Sequence, residues 1–219
     1  MTAAHAGQPA PGQPAPGRTG VLARLTAGWR DSDHPASLHE HARRFGRLPP
    51  VHNGRVAGRH LIDMVTAAGL TGRGGAAFPT GVKMRSVAGR RGGAVLVANG
   101  MESEPASEKD QALLARSPHL VLDGIELAAS AVGAGVAHLC LPRSKGWLTE
   151  IMLEAVSQRE QAGLDHIPVE IHELPHNYVS SEETSLVHWL NGGDARPTAI
   201  PPRPFERGVR RRPTLVDNV

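Results

Sequence analysis

The sequence predicts an α/β fold, a mostly parallel sheet flanked by helices, behind a disordered Pro/Gly-rich N-terminal tail. Three observations carry this reading. Residues 94–99, 136–141 and 169–174 are short strand-like runs, the first two almost wholly apolar. Longer segments with helical spacing lie between and after them, and that alternation belongs to a layered α/β fold. Residues 7–17 read GQPAPGQPAPG, where proline at this density prevents both helix and sheet pairing.

In order, residues 1–18 form the tail and 19–54 an irregular segment with turn signals at Leu48-Pro-Pro and His52-Asn-Gly. His34, His39 and His41 cluster in that segment, but no metal site is assigned to them. An α/β domain spans 55–219. Leu61, Ile62, Met64, Val65 and Ala68 have helical spacing over 59–68, and Gly69 supplies the stop. A glycine-rich loop follows, with a short helix beginning over 82–87. Strand 94–99 comes next. Ser117-Pro118 reads as an N-cap with proline at N1, opening a helix that runs to Gly133. Strand 136–141 holds the single cysteine, Cys140, as a buried residue. A helix over 145–162, strand 169–174 and a helix over 182–190 complete the pattern, the last closed by Asn191-Gly192-Gly193. From Ala195 onward, prolines at 197, 201, 202, 204 and 213 predict an extended, looping segment with no closing element at 218–219.

With 219 residues the chain suits one sizeable domain or two small ones. A net charge of +3 is a weak electrostatic footprint. Much of it lies in Arg203, Arg207, Arg210, Arg211 and Arg212, which read as a solvated run rather than a nucleic-acid site. One cysteine excludes a disulfide framework and a cysteine-ligated iron–sulfur cluster held by this chain alone. No apolar run approaches the roughly 18 residues of a membrane span, and no secretory signal pattern opens the chain. These features suggest a cytoplasmic protein.

The glycine loop Gly72-Arg-Gly-Gly-Ala-Ala-Phe-Pro-Thr-Gly-Val-Lys83 fails the P-loop spacing. It satisfies a relaxed dinucleotide fingerprint but follows a helix, where that motif needs a strand. Its glycines, a helix start, Arg73 and Lys83 suit an anion, and Phe78 adds a flat apolar face; an idle surface turn has the same composition. Asn99-Gly-Met-Glu102-Ser-Glu104-Pro105 follows the first strand, where parallel sheets place ligands, although acidic residues also open helices. Tyr178 to Thr184 follows the third strand, and Ser180-x-x-Glu183 there reads as a capping box.

Taken together, residues 69–83, Asn99 to Pro105, Lys109-Asp110 with Ser117-Pro-His119, Tyr178 to Thr184 and residues 212–219 resemble the NADH-binding flavoprotein subunit of respiratory complex I. The diaphorase subunits of NAD-linked hydrogenases and formate dehydrogenases share the pattern. The resemblance implies an FMN-binding domain that accepts hydride from NAD(P)H and passes electrons to an iron–sulfur or quinone-linked acceptor. It implies that Gly72, Arg73, Gly74, Gly75, Lys83, Asn99, Glu102, Tyr178, Glu182 and Asn218 line FMN. Phe78, Glu104 and Glu183 would face the nicotinamide nucleotide. It further implies a ferredoxin-like or iron–sulfur partner, no membrane insertion, and a location peripheral to a membrane complex at most. Full-length relatives continue into ubiquitin-like and iron–sulfur domains, so the chain reads as the FMN-binding part, with no cluster of its own.

The sequence departs from that family at Ser86, Ile200 and Arg203 on the nucleotide side, at Met101 beside the flavin, at Ser181 and Asp217, and at Ala77 in the glycine loop. These departures leave a second reading open, a degenerate homologue kept as a non-catalytic scaffold. The sequence does not distinguish NADH from NADPH.

Overall fold

The structure, a computed structural model, describes residues 24–48, 54–73, 77–102, 106–175 and 178–219. The helices are α1 (Leu38–Phe45), α2 (Arg55–Ala67), α3 (Thr80–Ala88), α4 (Lys109–Arg116), α5 (Pro118–Val132), α6 (Gly146–Gln161), α7 (Glu183–Leu190) and α8 (Pro204–Arg207). The strands are β1 (Ala94–Asn99), β2 (Ala134–Pro142), β3 (Val169–Leu174) and β4 (Thr214–Asn218). They form one sheet in the order β3-β2-β1-β4, and every pairing is parallel.

Strand β1 shows why the sequence builds such a sheet. All six of its residues are buried, and strand periodicity sends alternate side chains to opposite faces. Ala94, Leu96 and Ala98 join the core formed with Ile62, Leu122, Ile125, Leu148 and Met152, under α2, α5 and α6. Val95 and Val97 face the smaller core with Leu186, Val187, Val209 and Val216, under α7. A strand covered on both faces has no polar side, which accounts for its continuous apolar run. Cys140 is fully buried in β2, and burial pushes its thiol up to about 12. Helix α3 lies close on α2 because Gly81 has no side chain; a Cβ there would come within 2.2 Å of Thr66 Oγ1.

Helix α1 lies within the segment expected to be irregular. A capping box at Ser37 and Glu40 starts it. Buried His41 then fastens it to α5, with Nε2 2.8 Å from Asp123 Oδ2. Arg159 of α6 donates to the other oxygen of Asp123 at 2.8 Å and pairs with Asp165 at 2.7 Å. Burial pushes the Asp123 carboxyl up, but hydrogen bonds from His41 and Arg159 outweigh it and hold the group below its ordinary range. Trp29 Nε1 donates to Ser117 Oγ at 2.9 Å. Ser117 precedes Pro118 at N1 as expected, but its side chain makes no cap bond.

The main difference from expectation is at the C-terminal end. The proline-rich stretch leads through α8 into β4, which pairs with β1 from Val95↔Thr214 to Asn99↔Asn218. The segment Arg212-Pro-Thr-Leu-Val-Asp-Asn has few apolar residues, and its strand character comes from the open edge of β1. Leu215 and Val216 are almost fully buried by that pairing.

Candidate functional site

Because the four strands run the same way, their carboxyl ends share one edge, where parallel sheets leave room for ligands. Asn99 ends β1, Ser181 to Glu183 follow β3, and Asn218 ends β4. Between α2 and α3 the glycine loop reaches the same place. Together they enclose a cleft of about 500 Å³.

The loop is pinched at its base. Thr71 and Pro79 form an antiparallel bridge, Gly72 N–H donates to the Phe78 carbonyl at 2.8 Å, and Thr80 N–H donates to that of Leu70 at 2.9 Å. Ala77 adopts φ +47°, a left-handed conformation that its Cβ disfavours. Lys83 and Ser86, three residues apart on α3, present one helix face to the cleft. Lys83 Nζ lies 3.4 Å from Glu183 Oε2.

Asn99 joins three segments. Its Nδ2 donates to the Ser181 carbonyl at 2.9 Å and reaches Asn218 Oδ1 at 3.4 Å, while its Oδ1 accepts from Met101 N–H at 3.0 Å. The turn after it requires glycine at 100, where a Cβ would meet Leu141 Cδ2 at 2.9 Å.

The acidic residues have local duties as well. Glu102 accepts from Ser107 Oγ and from the backbone N–H groups of Asp110 and Gln111, at 3.4 and 3.5 Å, at the start of α4. Burial raises its carboxyl, but these bonds and the Lys109 charge outweigh burial and bring it below the ordinary value. Glu182 accepts from Thr184 and Ser185 N–H at 2.8 and 3.2 Å, so it caps α7. The expected Ser180–Glu183 box is therefore replaced by Glu182 as N-cap.

Two further carboxyls lie in the cleft wall. Asp110 is 1% exposed; one oxygen accepts from Lys109 at 2.6 Å, and the other has no hydrogen-bond partner among the described residues. Burial raises its pKa, and Glu102 adds to that, against the lowering effect of Lys109. Asp217 is likewise raised by burial, with Lys83 opposing and Glu183 reinforcing.

Of the residues expected at the site, Gly72, Arg73, Lys83, Asn99, Glu102, Glu182 and Asn218 line this cleft. Phe78, 52% exposed, and Glu183 line it too. Gly74, Gly75 and Glu104 lie outside the described residues. Tyr178 opens the 3-10 turn whose last residue, Ser181, lines the cleft. Ser86, Met101 and Arg203 also line it, whereas Ile200 does not. Sequence reasoning gave no role to Ser107, Lys109, Asp110 or Phe205, all of which contribute walls. Lys109-Asp110 was the one available signal for two of them.

Five separated segments meeting in one cleft correspond to a known sequence pattern. That of the Nuo51 FMN-binding domain matches residues 65–219. The chain belongs to this family. An NADH-quinone oxidoreductase subunit of Rhodobacter capsulatus is 34% identical over 170 residues, covering 73% of this chain and 39% of the relative. Its counterpart in Streptomyces coelicolor is 32% identical over 210 residues, or 91% of this chain and 46% of the relative. The fold superposes on a chain of an NAD+-reducing [NiFe]-hydrogenase, solved in its air-oxidised state, with a TM-score of 0.73. The two are 33% identical, with 89% of this chain and 32% of that one covered. The chain thus spans less than half the length of these relatives. Among the described residues, no helix of this family member is long and apolar enough to cross a membrane.

Proposed function

We propose that this chain is an FMN-binding oxidoreductase module that accepts hydride from NAD(P)H and passes electrons to an iron–sulfur or quinone-linked acceptor. The observation that carries this reading is the convergence of Arg73, Lys83, Asn99, Glu182 and Asn218 on one cleft, from positions up to 145 residues apart (218 − 73). About 500 Å³ falls within the range of small-molecule sites. The buried Asp110 oxygen, which has no partner among the described residues, is a polar group that a ligand hydrogen bond would satisfy. The FMN-binding domain is assigned to 55–219, preceded by the tail 1–18 and the segment 19–54.

In this reading Lys83, Arg73 and the glycine-loop amides would hold the phosphate, and Asn99 and Asn218 would hold the strand ends together in the cleft wall. Phe78 and Glu183, at the mouth, meet the nucleotide together with Glu104. FMN supplies a hydride acceptor that returns electrons singly. Carboxylates at Glu102, Glu182 and Glu183 oppose negative charge on the reduced cofactor and so lower its potential. Electrons leave to a ferredoxin-like or iron–sulfur partner, and the module works in the cytoplasm, at most peripheral to a membrane.

Titration of the protein with FMN, followed by flavin fluorescence, tests the first half. Saturable one-to-one binding is expected, and Lys83→Ala should weaken it by about 1.5–3 kcal/mol, roughly 10- to 150-fold, through loss of a charge-assisted bond. Unchanged affinity would remove Lys83 from the phosphate site. Anaerobic addition of NADH or NADPH to the loaded protein tests the second half by bleaching of the flavin band. Ser86, Met101 and Arg203 in the cleft wall favour a second reading, a scaffold that keeps FMN without reacting with either nucleotide; absence of bleaching would select it.

A further inference from the structure

We propose that His138, Glu170 and His172 form a binding site for a divalent late first-row transition ion, with Zn2+ as the reference case. His138 on β2 lies directly opposite Glu170 on β3 in the parallel register. His172, two residues on, shares Glu170's face of the strand. Their ligand atoms converge: His138 Nδ1 is 2.9 Å from His172 Nε2 and 3.3 Å from Glu170 Oε2, and the latter two are 3.7 Å apart. Ligands about 2.0–2.1 Å from a tetrahedral ion are separated by about 3.3 Å, close to the mean of these three distances.

The chemistry agrees with the geometry. Two imidazoles and a carboxylate suit zinc, and three protein ligands leave a position for water. His138 is buried and fixed, while the side chains of His172 and Glu170 are 30% and 49% exposed, giving an entry path. Burial disfavours the protonated form of both histidines, with His172 adding to the effect on His138 and Glu170 opposing it at each. The other charged group whose field reaches His138 is Arg210; its repulsion of a cation is offset by Glu170. Cys140, opposite His172 on β2, does not belong to the group of converging ligand atoms. None of the three residues lines the proposed FMN cleft, so this site is separate from it.

The test is Zn2+ titration of the metal-stripped 219-residue chain against a chromophoric chelator, with Co2+ in parallel for its visible four-coordinate spectrum. One tight equivalent and the Co2+ spectrum are expected. His172→Ala should weaken that equivalent by about a hundredfold or more, and Glu170→Gln by about tenfold, with FMN affinity and thermal midpoint preserved. Equal zinc affinity in wild type and His172→Ala, or no tight equivalent in wild type, overturns the proposal. Should His172→Ala also lose FMN, Glu170→Gln, altered at the most exposed ligand, decides by the same criterion.

Discussion

Ala77 and Asn99 affect the cleft by different means. Ala77 is held at φ +47°, which for a residue with a Cβ costs roughly 1–2 kcal/mol. Glycine would remove that strain but lose about 0.5–1 kcal/mol of unfolded-state entropy. Ala77→Gly is therefore expected to stabilise the fold by up to about 1 kcal/mol, a rise of about 2–4 °C in a thermal melt. An unchanged or lower midpoint would mean that the loop adapts to alanine without strain. Asn99 shows the opposite balance, since its amide ties three segments together through hydrogen bonds at 2.9, 3.0 and 3.4 Å. Asn99→Ala should cost about 2–3 kcal/mol in a denaturant titration, because the Met101 N–H and the Ser181 carbonyl each lose a partner. A loss under about 0.5 kcal/mol would show that the three segments hold together without it.

Helices α1, α5 and α6 meet at a buried polar joint whose stability depends on pH. His119 at the start of α5 is 1% exposed, with Nε2 3.2 Å from Gln158 Oε1 on α6. Burial, with the His41 and Arg159 charges, lowers its pKa from 6.5 to about 4. The unfolded chain therefore takes up the proton first. Its contribution is fully present above pH 6.5 and is lost as the pH falls through 4, by up to about 3 kcal/mol. Denaturant titrations from pH 7.5 to pH 4 should show that slope, reduced in His119→Gln; equal slopes would assign it to other groups. Legibility at this scale followed the apolar pattern. Strand β1 and helix α5 could be read because burial on two faces, or on one broad face, marks the residues directly. Helix α1 could not, since its buried contact is a histidine–carboxylate hydrogen bond to a residue 82 positions away. Helix α4 has two buried residues, Asp110 and Leu114, too few for a period. Strand β4 depends on an edge provided by β1. At the cleft the glycine loop and strand ends were legible as polar groups in the right places, whereas Asp110 gained its place only from tertiary folding.

Across the whole molecule, the cleft depends on segments that have no contact in sequence. FMN binding should therefore slow backbone hydrogen exchange together in the loop near 72–83, after β1 at 99–102, at the start of α7 and at the end of β4. Mass-spectrometric exchange with and without FMN measures this, and protection confined to one segment would contradict a shared site. The pairing of Asn99 with Asn218 also has a consequence in time. During synthesis, β1, β2 and β3 emerge and can align while β1 still has one open edge. The floor of the cleft is completed only when the ribosome has released the chain through Asn218, so a nascent chain cannot take up a ligand there early. A ligand that needs both asparagines can bind there only after β4 has emerged and paired, and until then the edge of β1 that β4 covers lies open.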